Sequence, residues 1–419
     1  MKFYYIKTLL LCSVFVNSFG QTQKEMYNQS LQAYQNKNFE EFLQLTQKLD
    51  QTRPSHPIYT YNLACALALN GKKSEAISVL EKCLLMNNKI DFENESDLAS
   101  LKDSEGFKKL AELKSKLNTT ISSSTKKVVL SEKTLHPEGL LYLNKSKTWL
   151  VNSIRNRKII SFDPNSGQCT DWLTDKDLLS VFALKADKNE KYLWVSTSSM
   201  PEMKGYNKDL EGQSEVLKID IKTKAIVKRF PLKGNHVLGD LVVAKNGDVY
   251  VSDSGEALIF KITNDSMAVW LDLKKEAFNL QGLTFNENES QLFIADYMKG
   301  ILSISMKNPN ERNWLNFPES TTVKGIDGLI WYKNSLLAIH NGVKPIRIMQ
   351  YSLNQKNEIE TAQVLDHNRP EFDEPALGTI SNGKFYFFAN APWNAYDKNS
   401  DLDETKFENP TLYFNSLTK

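Results

Sequence analysis

GDLVVAKNGDVYVSDS, residues 239–254, carries the plan of the larger part of this chain. A polar residue beside a glycine opens an apolar run. A turn containing Asn246 follows, and a second run of β-branched and aromatic residues ends on a polar side chain. Alternating runs of this length bounded by turn residues predict paired strands. The same plan recurs in HPEGLLYLNKSKTWLVNS (136–153), LQGLTFNENESQLFIADY (280–297) and IDGLIWYKNSLLAIHNG (326–342), with weaker copies at 181–197 and 374–390. A third strand follows clearly in KIISFDP (158–164), ALIFKITND (257–265) and GILSISMKN (300–308).

The opening polar positions are Glu138, Ser180, Asp240, Gln281, Asp327 and Glu374, spaced 42, 60, 41, 46 and 47 residues apart. Such a period matches four-stranded blades and predicts a six-bladed β-propeller over 126–419. The long spacing holds an insertion, SSMPEMKGYNKDLEGQ (198–213), on one rim. NPTLYFNSL (409–417) lacks a following strand, so KKVVLS (126–131) is expected to complete its blade and close the ring. A β-sandwich is the alternative fold, and the regular spacing argues against it.

Upstream, residues 22–118 have helical composition with no glycine before Gly71. Tyr27 and Tyr61, Lys37 and Gly71, Phe42 and Ala76, Leu49 and Cys83, and Pro54 and Asn88 pair at a spacing of 34. The stretch TYNLACALALNGKKSEAISVLEKCLLMN (60–87) resembles the tetratricopeptide family, whose repeat has this period. The resemblance implies a short helical array capped by residues 97–117. Such an array could dock a protein partner or serve as a packing module. NTTISSST (118–125) is read as a linker, so the linker proper spans 119–125.

Residues 1–20 read as a secretory signal. Lys2 and Lys7 precede an apolar core from Thr8 to Val16, and Ser18-Phe19-Gly20 is a small-x-small cleavage site. The apolar run is too short to span a bilayer, and an exported periplasmic or extracellular protein is expected. Lys and Arg number 52 against 50 Asp and Glu, a balance that gives nucleic acid no basic surface. After cleavage Cys65, Cys83 and Cys169 remain, and no cysteine or histidine spacing suits a structural metal site. Cys65 and Cys83 are expected on facing helices, where buried thiols or a disulfide are both open.

The six opening residues are expected to converge on one mouth of the propeller. Carboxylates crowded there repel unless a cation neutralises them or their pKa values rise. Oxygen donors of this kind suit a hard cation such as Ca²⁺. PEGLLY, GDLVV, LQGLTF and IDGLIW resemble the metal-bearing segments of the senescence-marker and gluconolactonase family, within the paraoxonase and strictosidine-synthase superfamily. That resemblance implies a divalent cation, Ca²⁺ foremost, and hydrolysis of a lactone or ester. Glu138 and Asp327 stand at a Glu and an Asp ligand position. Asp240 lies in the family's Asn-Asp pair, with Gly239 in place of its Asn, and Gln281 replaces the other Asn.

The implied metal set is therefore Glu138, Asp240, Gln281 and Asp327. Asp240, Asp327 or His340 is the implied base, with Asp240 and His340 foremost and His340 resembling a paraoxonase histidine; a structural hydrogen-bonding role is the alternative for His340. Asp253 and Asp296 read as turn binders. His136, His236 and His367 read as surface or turn residues. Non-catalytic binding of a protein, glycan or small ligand is the alternative function, because propellers host many activities.

Overall fold

The computed structural model describes residues 22–417, so the expected signal sequence at 1–20 lies outside the described residues. The chain forms two compact units, one ending at Asn118 and the other starting at Thr119.

The first unit is built of two helical hairpins. Helices α1 (Gln23–Gln35) and α2 (Phe39–Thr52) make the first; α3 (Pro57–Leu69) and α4 (Lys73–Met86) make the second. Thr22 and Glu25 form a reciprocal cap that satisfies free amides at the start of α1. Pro57, which lacks the amide a helix start cannot use, opens α3. Ala64 and Ala76 have no exposed surface, and these small side chains let α3 and α4 approach. Residues 97–117 fold as a short 3₁₀ turn and helix α5 (Glu105–Asn118). Cys65 and Cys83 are buried free thiols, so the disulfide is absent here.

The second unit is a six-bladed β-propeller whose sheets each run from an inner strand outward. The inner strands are Leu140–Leu143, Ser180–Ala186, Leu238–Val243, Leu280–Phe285, Ile326–Tyr332 and Gly378–Ser381, in blades 1 to 6. Blade 6 closes as expected: Thr125–Val129, from the start of the unit, pairs antiparallel with Thr411–Ser416. The ring is thereby fastened by both ends of its chain.

The sequence reading of 119–125 as a linker needs correction. Ile121 and Ser122 pair with His367 and Asp366 as a fifth strand of blade 5. The Asp366 carboxylate then accepts from the amides of Ser123 and Ser124, each at 3.1 Å, and from the Ser124 hydroxyl. Arg369 ties this group to the Ser124 carbonyl. A Ser/Thr-rich stretch lacks apolar periodicity but supplies edge amides and hydroxyls, which is what this strand uses.

The glycine of the repeated motif has a steric cause. A Cβ on Gly282 in blade 4 would lie 2.6 Å from backbone atoms of Asp327 and Leu329 in blade 5. One on Gly328 in blade 5 would lie 2.3 Å from the carbonyl of Ala376, which leads into blade 6. Successive inner strands thus approach backbone to backbone. Between blades, aromatic rings fill the wider outer gap: Trp149 of blade 1 packs 4.7 Å from Tyr386 of blade 6, and Tyr250 of blade 3 packs 5.6 Å from Phe285 of blade 4.

Two substitutions separate close approach from general glycine cost. Gly282→Ala collides with fixed backbone and should destabilise by about 1–3 kcal/mol or more in urea unfolding. At Gly239 the nearest atom to an added Cβ is the Gln281 amide oxygen at 3.5 Å, an ordinary contact, so Gly239→Ala should leave the unfolding midpoint nearly unchanged. Equal losses in both would refute the backbone-contact explanation.

Candidate functional site

Polar residues at the ends of the second strands turn back into their own blades. Asp253 accepts from the amides of Val237, Gly255 and Glu256, and its other oxygen lies 2.6 Å from His236 Nδ1. Asp296 accepts from Phe278, Asn279, Met298 and Lys299. Both bind turn amides, as their sequence context suggested. Asn152 does this across a blade boundary. Its carbonyl accepts from the amides of Glu138 and Gly139, and its NH₂ donates to the carbonyls of Val181 and Phe182 in blade 2.

His340 belongs to the same class. Its Nδ1–H donates to the Lys324 carbonyl at 3.0 Å, and its Nε2 accepts from the Tyr351 hydroxyl at 3.0 Å. The ring has no exposed surface, and burial, helped by the Arg347 charge, holds its pKa down at about 3. It is neutral, with both nitrogens occupied. A general base must reach the proton it takes, so this placement suits the hydrogen-bonding role and not the basic one.

Asp240 is likewise spent on the scaffold. One carboxylate oxygen accepts from the Leu241 amide at 2.8 Å, and the other accepts from the Leu283 amide of blade 4 at 3.3 Å. Lys185 of blade 2 stands 3.8 Å away. With 1% of its surface exposed, Asp240 ties three blades together. Two of its acceptor sites serve backbone amides, and its charge also acts on Asp327.

What converges on the mouth is a trio: Glu138 of blade 1, Asp327 of blade 5 and Glu374 before blade 6. The Trp393 indole donates to Glu138, and the Asn341 amide donates to Asp327. The Asn394 amide donates to Glu374 at 3.3 Å. Burial, and then the charge of Asp327, push the Glu138 carboxyl well above its usual range. Burial, and then the charge of Asp240, raise Asp327 to about 6. Burial and the neighbouring Asp373 and Asp327 raise Glu374 to about 7. Tyr297, hydrogen-bonded at 3.0 Å to Asn341, has its phenol raised by burial and by all three carboxylates. Mutual repulsion of this kind means that the three groups share one small region.

Gln281 sits at the rim of this region. Its NH₂ donates to the side-chain oxygen of Asn279, and its own side-chain oxygen points at the space above Gly239. The two departures from the family pattern are therefore coupled: the missing side chain at 239 leaves room for the longer amide at 281. Among the described residues no three or more His, Cys, Asp or Glu side chains gather as a metal group. The carboxylates whose charges act on one another are Glu138, Asp327 and Glu374. Their chemistry, hard oxygen donors with like charges held close, fits a hard divalent cation.

Several site residues escape sequence reasoning. Trp393, Asn394 and Tyr396 come from the loop between the second and third strands of blade 6, and Tyr297 and Asn341 from turns. Only the unusual aromatic content of APWNAY (391–396) hinted at them. His136, read as a surface or turn residue, is fully buried beside this loop, with Nδ1 2.8 Å from the Tyr396 hydroxyl and its ring 4.3 Å from Trp393.

No protein-family model matches the chain, and no curated protein matches it. Among solved structures, a luciferin-regenerating enzyme superposes with a TM-score of 0.50 at 13% identity, covering 70% of this chain and 96% of its own. Regucalcin from Agrobacterium tumefaciens, described as a calcium-binding protein, gives 0.49 at 12% identity over 70% and 95%. Virginiamycin B lyase from Staphylococcus aureus gives 0.47 at 14% over 66% and 86%. Identities this low speak to the propeller fold alone and carry no activity across.

Proposed function

We propose that this chain is an exported propeller enzyme that hydrolyses a lactone or ester at the mouth formed by Glu138, Asp327 and Glu374. The observation that carries the reading is the meeting of three carboxyl groups, from distant parts of the chain, with two of their pKa values raised to about 6 and about 7. Strongly perturbed carboxyls in one place are a mark of acid–base chemistry.

Glu138 and Asp327 would hold one divalent cation, with the Gln281 carbonyl as a neutral donor. When bound, such a cation polarises a carbonyl oxygen and makes its carbon more electrophilic. The chain's own residues do the rest. Trp393 and Asn341 each fix one oxygen of a carboxylate and so set the direction of the other. Glu374, steadied by Asn394, is poised near neutrality to take a proton from water as that water attacks. The helical hairpins, of tetratricopeptide type in this reading, would serve as a packing module or dock a protein partner.

Three outcomes are expected. First, millimolar Ca²⁺ should raise the melting temperature of the mature protein. A hundredfold excess over the dissociation constant is worth about 2.7 kcal/mol. Glu138→Gln and Asp327→Asn should abolish the rise; no rise with Ca²⁺, Mg²⁺ or Mn²⁺ would remove the cation from the proposal.

Second, the chelated protein should lose stability as pH rises. The folded state holds protons on raised carboxyls more tightly than the unfolded state. The favourable contribution is therefore present at about pH 4 and lost as pH passes 6 to 7. Glu374→Gln should flatten this slope in thermal melts at pH 5 and pH 8, and an unchanged slope would place the carboxyl in water.

Third, hydrolysis in a lactone and ester screen should increase with pH through an ionisation at or below about 7. Glu374→Gln should cut kcat at least a hundredfold and remove that limb, in keeping with the usual worth of a general base. A full-rate Glu374→Gln enzyme would assign the base elsewhere.

A further inference from the structure

Two arginines follow one another in the turn after the second strand of blade 1, and they differ in use. Arg157 is fully employed: Nε donates to the Leu178 carbonyl at 2.5 Å, Nη1 to Lys204 at 3.2 Å and Nη2 to Lys176 at 2.8 Å. It braces the rim insertion. Arg155 makes a long contact from Nη1 to the Glu202 carbonyl, at 3.5 Å, lies over the Tyr396 ring at 5.8 Å and reaches the Tyr396 hydroxyl. Its Nε is buried without a hydrogen-bond partner, and among the described residues no carboxylate pairs with it within 4.0 Å.

The orphaned donor has company. His136, with no exposed surface, leaves Nε2 without a hydrogen-bond partner, and Oε2 of Glu202 is buried and unpartnered as well. The tautomer in which Nδ1 accepts from the Tyr396 hydroxyl places the hydrogen on His136 Nε2. That nitrogen stands 3.9 Å from Glu138 Oε1, too far for a hydrogen bond between them. Burial raises the Glu202 carboxyl above its usual range. Buried polar atoms are nearly always satisfied, and several orphans around one guanidinium mark a place where a ligand atom belongs.

We propose that Arg155 and His136 form an anion-recognition subsite beside the mouth, taking the carboxylate of a substrate whose reactive carbonyl lies at Glu138 and Asp327. A guanidinium beside an imidazole N–H matches a singly charged carboxylate. A dianionic phosphate would be repelled by the acidic trio next to it. The inference rests on the mouth being the reactive centre and narrows its substrate to lactones or esters that carry a free carboxylate.

The test is calorimetric binding of two probes to the full mature chain with Ca²⁺ present: a five-membered lactone bearing a ring carboxylate, and the same lactone as its carboxamide. Wild type should bind the carboxylate at least tenfold more tightly. Arg155→Met should erase that preference, while Arg155→Lys, which keeps the charge but not the Nε–H, should retain part of it and guards against a folding defect in the first variant. Equal affinity of wild type for the two probes, or an undiminished preference in Arg155→Met, overturns the subsite. Carboxylate preference without turnover of either probe leaves the subsite standing and counts against hydrolysis at the mouth. Turnover without preference does the reverse.

Discussion

At Gly282 and Gly328 the inner strands of the propeller meet with no room for a side chain between them, and much of the molecule follows from that constraint. Where Gly282 faces Asp327 and Leu329, and Gly328 faces Ala376, backbone touches backbone. The polar residue next to each glycine is thereby pressed toward its counterparts on neighbouring blades. A ring that closes this tightly delivers Glu138, Asp327 and Glu374 to one place although more than two hundred residues separate the first from the last. Burying carboxyls together is costly unless they keep protons or meet a cation. The site's chemistry is a consequence of how the ring shuts.

The same closeness makes polar groups at the blade ends do structural work. Asn152 joins two amides of blade 1 to two carbonyls of blade 2, and Asp240 joins the inner strand of blade 3 to that of blade 4. Losing either side chain would strand buried backbone groups, each worth about 1–3 kcal/mol. Asp240 and Asp327 open equivalent blades with the same side chain, yet one serves two backbone amides while the other keeps a place in the mouth. Position in the repeat does not settle function; the hydrogen bonds available at each position do.

Much of the fold was legible in the residues. Alternation, turn residues and a near-constant spacing gave six blades, and the missing strand after 409–417 gave the closure by Thr125–Val129. The helical character of 22–118 followed from its composition and the 34-residue offset. The candidate site was legible only in outline. Glu138, Asp327 and Glu374 were marked by their place in the motif, but so was Asp240. His340 looked reactive because it ends a strand with a polar group, and nothing in the residues nearby revealed Tyr351 and Lys324 closing on its two nitrogens. Trp393, Tyr396 and Arg155 have no counterpart in the repeat.

The sequence by itself determined the blade count, the helical hairpins and the identity of the groups that open each blade, because local periodicity encodes which face of a strand or helix is buried. Tertiary structure alone decided which of those groups remain chemically available. Availability depends on the donors and acceptors brought in by other blades and by the long rim loops. Those partners are set by ring closure, which no local pattern records.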